Sequence, residues 1–247
     1  MVILIGSILL GHRLTMNPQE ITTERLNGSR RIWLQPSADA ACCWIFLDAE
    51  LYLDRVGAVQ IVEQLLKDGG LPPVTFAYIS SLDAAARHRD YTCSDDYATF
   101  LIREVIPWIE QSQGRFERYY LGGLSLSGLA AAYTLCRHPG VFTGGMCQSP
   151  SAWWNDEWLT ATIASQPASP GRLWVSVGNQ ELQQGVSHPP TGLFQQTSQL
   201  DSVRRLVRQL ETSFSQVRSH EYDGGHDPAC WAAELPDALT WVLAGHE

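Results

Sequence analysis

The sequence predicts an α/β fold, a mostly parallel central sheet with antiparallel strands at its N-terminal end and helices on both faces. Three observations carry this expectation. A continuous apolar run at Cys42–Leu47 suits a strand covered on both faces, and Val74–Ile79 reads as another strand. Stretches with helical apolar spacing alternate with such runs from residue 56 onward. Ahead of them, residues 21–26 and 30–34 flank Asn27-Gly28, a pair that supplies the positive φ angles of a tight hairpin turn.

Residues 1–10 are apolar, too short to span a bilayer and without the basic start of a secretory signal, so they read as a first strand. After the hairpin and the strand at 42–47, a helix over 56–67 stops at Gly69-Gly70. The strand at 74–79 follows. Ser94-Asp95-Asp96 caps a helix running to about residue 111, with acidic side chains at its positive end and a kink at Pro107. Strand 118–121, helix 126–136, strand 141–147 and strand 173–177 come next. Leu200, Val203, Leu206, Val207, Leu210 and Phe214 form one helical stripe, and strand 217–222 and a helix over 228–243 end the chain. The glutamine-rich stretch 183–199, with Gly185, Pro189, Pro190 and Gly192, reads as a loop long enough to act as a lid.

Composition narrows the classes. With 45% hydrophobic residues and 9 Trp, the 247-residue chain is not disordered, and residues 1–247 read as one domain with a sizeable core. A formal net charge of −9 argues against a nucleic-acid backbone or an anionic membrane as partner. The six cysteines (Cys42, Cys43, Cys93, Cys136, Cys147 and Cys230) read as small buried hydrophobes rather than disulfide partners, and none has zinc spacing. The expectation is a soluble protein of the reducing cytoplasm, with the periplasm or exterior as the alternative if a leader segment has been removed.

The stretch Tyr119 to Ala130 carries the chemistry. An apolar strand enters, Gly123 and Ser127 flank Ser125 at −2 and +2, and a small-residue helix leaves. A nucleophile elbow needs this pattern, because the serine takes a strained turn that larger neighbours would obstruct. The helix directs its positive end at the serine, and the backbone N–H of Leu126 is an oxyanion donor. A solvated serine in a glycine-rich turn, or a phosphate cradle, is the bland alternative; GxGxxG and a Walker lysine are both missing.

A serine nucleophile needs a base held by a carboxylate. His226 follows a strand through Asp223-Gly224-Gly225 and precedes the last helix, which makes it the candidate base. Glu181, beyond a strand and the turn at Gly178, is the candidate acid, with Asp201 competing. A second oxyanion donor is expected from the backbone N–H of Ala49 or Glu50, in the loop after an early central strand, with Asp48 fixing that loop.

These pieces resemble the esterase family that contains enterochelin esterases and esterase D. Leu47-Asp48-Ala49-Glu50 resembles its "LLDG" oxyanion loop, with Ala49 in place of glycine. Arg87-His88-Arg89-Asp90-Tyr91, with the segment from Phe100 to Trp108, resembles its R-x-R-x-x…F…E-x-x-P-x-I stretch. Gln148 to Trp154 is similar to "QSGSFWW" and Gly224 to Trp231 to "GGHDxxxW", while the elbow departs only at Ser127. The resemblance covers most of the chain. It implies an α/β-hydrolase fold, Ser125 and His226 as catalytic residues, no metal or organic cofactor, and a small ester substrate. Members often carry a further N-terminal domain, for which this chain is expected to have no room.

Trp153, Trp154 and Trp231 can form an aromatic wall for aryl or catecholate acyl groups, or serve as packing. Arg87 and Arg89 can meet an anionic ligand, or sit in surface salt bridges. Hydrolysis of a siderophore trilactone, hydrolysis of simpler acetyl or feruloyl esters, and a non-catalytic binding role remain the competing functions.

Overall fold

The computed structural model describes residues 16–163 and 169–244, so the strand expected at 1–10 lies outside the described residues. An eight-stranded sheet runs in the order β1 (Gln19–Thr23), β2 (Gly28–Gln35), β4 (Val74–Ile79), β3 (Cys42–Leu47), β5 (Arg118–Leu124), β6 (Gly144–Gln148), β7 (Ser169–Gly178) and β10 (Phe214–Tyr222). β1 and β2 pair antiparallel, as do β2 and β4; from β4 to β10 every pairing is parallel. Asn27, at φ 51°, turns the first hairpin. A separate hairpin joins β8 (Val186–His188) to β9 (Leu193–Gln195).

The helices are α1 (Ala49–Leu51), α2 (Ala58–Lys67), α3 (Ala84–Tyr91), α4 (Asp95–Phe100), α5 (Ile106–Gln113), α6 (Ser125–Arg137), α7 (Trp154–Ile163), α8 (Gln199–Leu210) and α9 (Pro228–Leu243). They cover both sheet faces, and β3 shows why: Cys43, Ile45 and Leu47 join the core under α3 to α8, while Trp44 and Phe46 join the core under α2 and α9. The two-residue period of a strand sorts its side chains in this way. This is the expected α/β-hydrolase arrangement.

Some elements differ from expectation. The helix expected over 94–111 is α4, a π-helical segment at Leu101–Val105 and α5; Ser94 caps the start, and Pro107 follows directly on the π-helical segment, in the first turn of α5. Phe214 starts β10 instead of closing the α8 stripe, because Thr212 and Ser213 turn back onto the carbonyls of Gln209 and Leu210. Helices α1, α3 and α7 are additional, α1 lying in the expected loop after β3, and the expected loop over 183–199 contains the β8–β9 hairpin. The six cysteines are free; Cys93 and Cys230 are only half-buried.

Candidate active site

Ser125 stands where β5 passes into α6, with φ 55°. A Cβ on Gly123 would lie 2.2 Å from the carbonyl oxygen of Ser127, so that position admits no side chain without moving the backbone. Ser127 is fully buried and uses its hydroxyl locally. Its Oγ accepts from the N–H of Leu124 at 2.9 Å and donates to the carbonyl of Leu124 at 2.8 Å. The serine that departs from the family pattern thus ties the elbow to the strand that feeds it.

His226 bridges the other two residues. Its Nε2 lies 2.9 Å from Ser125 Oγ and its Nδ1 lies 2.6 Å from Glu181 Oε2. Glu181 is buried, and its other oxygen accepts from Ser149 Oγ at 2.7 Å, Gly178 N–H at 2.8 Å and Tyr222 Oη at 3.0 Å. Burial pushes the Glu181 carboxyl up, but His226, Ser149 and Gly178 together hold it below the usual carboxylate value. Asp201, the competing acid, is bound to Ser198 instead, where it closes the first turn of α8. Ser149 and Tyr222 were not expected as partners of Glu181; their contacts span 32 and 41 residues of chain, and no local spacing signals them.

The oxyanion-loop candidates are held firmly but not all at the cavity. Leu126, in the first turn of α6, lines the cavity together with Ser125 and His226. First-turn N–H groups have no intrahelical acceptor, so they are available to a ligand. Ala49 and Glu50 start α1 outside the cavity wall, and Ala49 is fully buried. Asp48 adopts φ 63°, donates its N–H to Tyr91 Oη at 3.1 Å and accepts from Arg87. The Glu50 carboxylate receives the N–H and hydroxyl of Ser81 at 3.0 and 3.2 Å.

A cavity of about 580 Å³ opens over Ser125 and is walled in part by Arg87, Trp153, His188, Gln195 and Gln199. Trp153 stacks on His188 with ring centres 5.0 Å apart and donates its indole N–H to Gln199 at 2.5 Å. The other expected wall residues do not line it. Trp231 is buried beneath His226, edge-on to the imidazole at 4.9 Å, and donates to Ser149 and Tyr222. Trp154 meets Trp158 instead, and Arg89 is paired with Asp90 at 3.0 Å. Among the described residues, no cluster of three or more His, Cys, Asp or Glu side chains could hold a metal ion.

The profile of the family described as "Putative esterase" matches residues 24–242. The chain belongs to this esterase family. An iron(III) enterobactin esterase of Dickeya dadantii (strain 3937) is 28% identical over 241 residues, covering 91% of this esterase-family chain and 54% of the relative. The chain spans about half the length of the curated relatives it matches. The crystal structure of the enterobactin esterase from Shigella flexneri, in the presence of 2,3-di-hydroxy-N-benzoyl-glycine, gives a TM-score of 0.80 at 22% identity, over 93% of this chain and 59% of that one. A ferulic acid esterase gives 0.67 at 15% identity, over 93% and 98%. At these identities the two structures share the fold with this esterase-family chain. Among its described residues no helix is long and apolar enough to cross a membrane.

Proposed function

We propose that the chain is a serine carboxylic-ester hydrolase that works through an acyl-enzyme on a catecholate siderophore trilactone. The observation that carries this reading is His226, hydrogen-bonded to Ser125 on one ring nitrogen and to a buried Glu181 on the other, beside an open cavity. Ser125 Oγ attacks the ester carbonyl as His226 Nε2 takes its proton. Glu181 stays ionised and stabilises the imidazolium. The N–H of Leu126, at the cavity wall, receives the oxyanion; losing such a donor costs on the order of 10²–10³ in kcat. His226 returns the proton to the leaving alkoxide. Water then attacks the acyl carbonyl as His226 takes its proton; the bond to Ser125 Oγ breaks, His226 returns the proton to that oxygen, and the acid leaves.

The matched relatives are iron(III) enterobactin and salmochelin esterases, which supports a catecholate ester as the substrate. The stacked Trp153–His188 wall supports an aryl acyl group. A second reading, a feruloyl or simpler carboxylesterase, is favoured by the likeness to a ferulic acid esterase along 98% of that chain.

The test compares the parent with Ser125→Ala on p-nitrophenyl butyrate, methyl ferulate and a catecholate trilactone with and without iron(III). Trilactone cleavage that is lost in the variant supports the first reading, and preference for methyl ferulate or the butyrate supports the second. A parent that cleaves none of them, or a variant as active as the parent, overturns both.

A further inference from the structure

Behind Glu181 lies a second buried carboxyl, Glu234 of α9, only 5% exposed. Its Oε1 accepts from Ser176 Oγ at 2.6 Å and from Gln148 Nε2 at 2.8 Å. These two residues sit opposite each other on β7 and β6. Both bear on Ser149: Gln148 precedes it in the chain, and the carbonyl of Ser176 accepts its N–H at 2.8 Å. Gln148 is clamped further, receiving Tyr52 Oη at 2.9 Å and donating to the carbonyl of Trp231 at 3.0 Å. Ser149, at φ 41°, then gives its hydroxyl to Glu181.

We propose that Glu234 is a positioning residue of the hydrolytic centre, fixing Gln148 and Ser176 so that Ser149 can orient the Glu181 carboxylate toward His226. The inference rests on the proposed roles of Ser125, His226 and Glu181. A buried acid is unfavourable for packing alone, since a side chain of similar volume without charge would fill the space at lower desolvation cost. Glu234 is nonetheless the junction of three elements: α9, whose preceding loop carries His226, and the carboxyl ends of β6 and β7. Burial pushes the Glu234 carboxyl up to about 7, hydrogen bonding from Ser176, Gln148 and Trp174 pulls it down, and Glu181 pushes it up. A neutral Glu234 accepts the two hydrogen bonds without setting a second full charge behind Glu181.

The experiment combines steady-state kinetics on p-nitrophenyl butyrate with proton NMR of the His226 Nδ1–H, assigned by its loss in His226→Asn. Glu234→Met keeps the volume and removes the acceptor; Glu234→Gln keeps an acceptor oxygen. Glu234→Met should lower kcat about tenfold with little change in KM, the scale of a misplaced catalytic group. It should also broaden or shift the imidazole resonance, and Glu234→Gln should recover most of both. In a cycle with Ser149→Ala, the double variant should be no slower than the slower single. Unchanged kcat and resonance in Glu234→Met, or losses that multiply in the cycle, overturn the proposal. If Glu234→Met does not fold, Ser176→Ala removes one anchoring bond from the other side and must reproduce the loss; unchanged values there overturn it equally. A parent inactive on every ester, yet with a resonance that depends on Glu234, would sink the hydrolase reading and leave the positioning role standing.

Discussion

Arg87 grips Asp48 with two nitrogens on one edge of its guanidinium, Nε at 3.0 and 2.9 Å from the two carboxylate oxygens and Nη2 at 2.6 Å from one of them. The pair joins α3 to the turn after β3, and Tyr91 of the same helix accepts the Asp48 N–H. Arg87 also faces the cavity, so it can be read as a substrate cation or as the brace of the turn that Asp48 makes after β3. Its hydrogen bonds to Asp48 favour the brace.

Arg87→Lys should therefore lower kcat about tenfold on neutral and anionic esters alike, because an ammonium cannot reproduce the planar fork. Asp48→Asn should give a similar loss, and the double variant should add little to either. A KM increase confined to anionic esters would instead make Arg87 a substrate-binding group.

The elbow makes a prediction about stability. Gly123→Ala sets a Cβ against the Ser127 carbonyl at 2.2 Å and should destabilise the protein by about 1–3 kcal/mol in urea unfolding. Ser127→Gly removes both hydroxyl bonds to Leu124 from a buried site and should cost about 1–3 kcal/mol. It should leave kcat within about twofold, since the hydroxyl braces the backbone and does not touch Ser125 by hydrogen bond. A large kcat loss at unchanged stability would contradict this account.

What the sequence could reveal depended on how local each cause was. β3 was legible because both of its faces are buried, leaving an unbroken apolar run; α9 was legible because Asp227 accepts from the Ala229 N–H at 2.7 Å and Pro228 opens the helix. Helix α3 carries no comparable stripe. It is held by tertiary pairs, Arg30 with Asp90 and Arg87 with Asp48, which no window of sequence contains. The Ser125 turn could be read from its small neighbours, whereas Trp231 shared its motif with His226 and still turned out to lie beneath the ring rather than on the cavity wall. The aid that Ser149, Tyr222 and Glu234 give is assembled from β6, β10 and α9, and only the sheet order brings them together.

Glu181 and Glu234 should give opposite pH dependences. Glu181 sits below its ordinary value of 4.5, so the stability it contributes is present above that value and is lost as pH falls through the folded one. Glu234 is raised from 4.5 to about 7, so its contribution is complete below 4.5 and is lost as pH rises through 7. Glu181, Tyr52, Tyr222 and Cys230 are the titratable groups that feel its charge, and burial holds the Tyr52, Tyr222 and Cys230 protons on through that window. Thermal unfolding of Glu234→Gln between pH 5 and 8 should therefore be flatter than that of the parent, by on the order of 3 kcal/mol across the window. Glu181→Gln should flatten the acid side instead. Parallel pH curves for parent and Glu234→Gln would refute the raised carboxyl.

The cavity wall offers a test of acyl preference that leaves the hydrolytic groups untouched. His188 lies on the β8–β9 hairpin, stacked on Trp153 and within 3.1 Å of Gln195. Stacked aromatic pairs contribute about 0.5–1.5 kcal/mol beyond simple burial, so an aryl acyl group that uses this wall should lose up to about tenfold in affinity when half of it is removed. His188→Ala should thus raise KM for methyl ferulate by about threefold to tenfold while leaving KM for p-nitrophenyl butyrate and both kcat values near those of the parent. Trp153→Phe keeps a ring for the stack but frees Gln199 of its indole donor; its effect on ferulate should be the smaller of the two. Equal changes on both esters would mean that the hairpin shapes the cavity without selecting an aromatic acyl group, since the butyrate carries its ring only on the leaving alcohol.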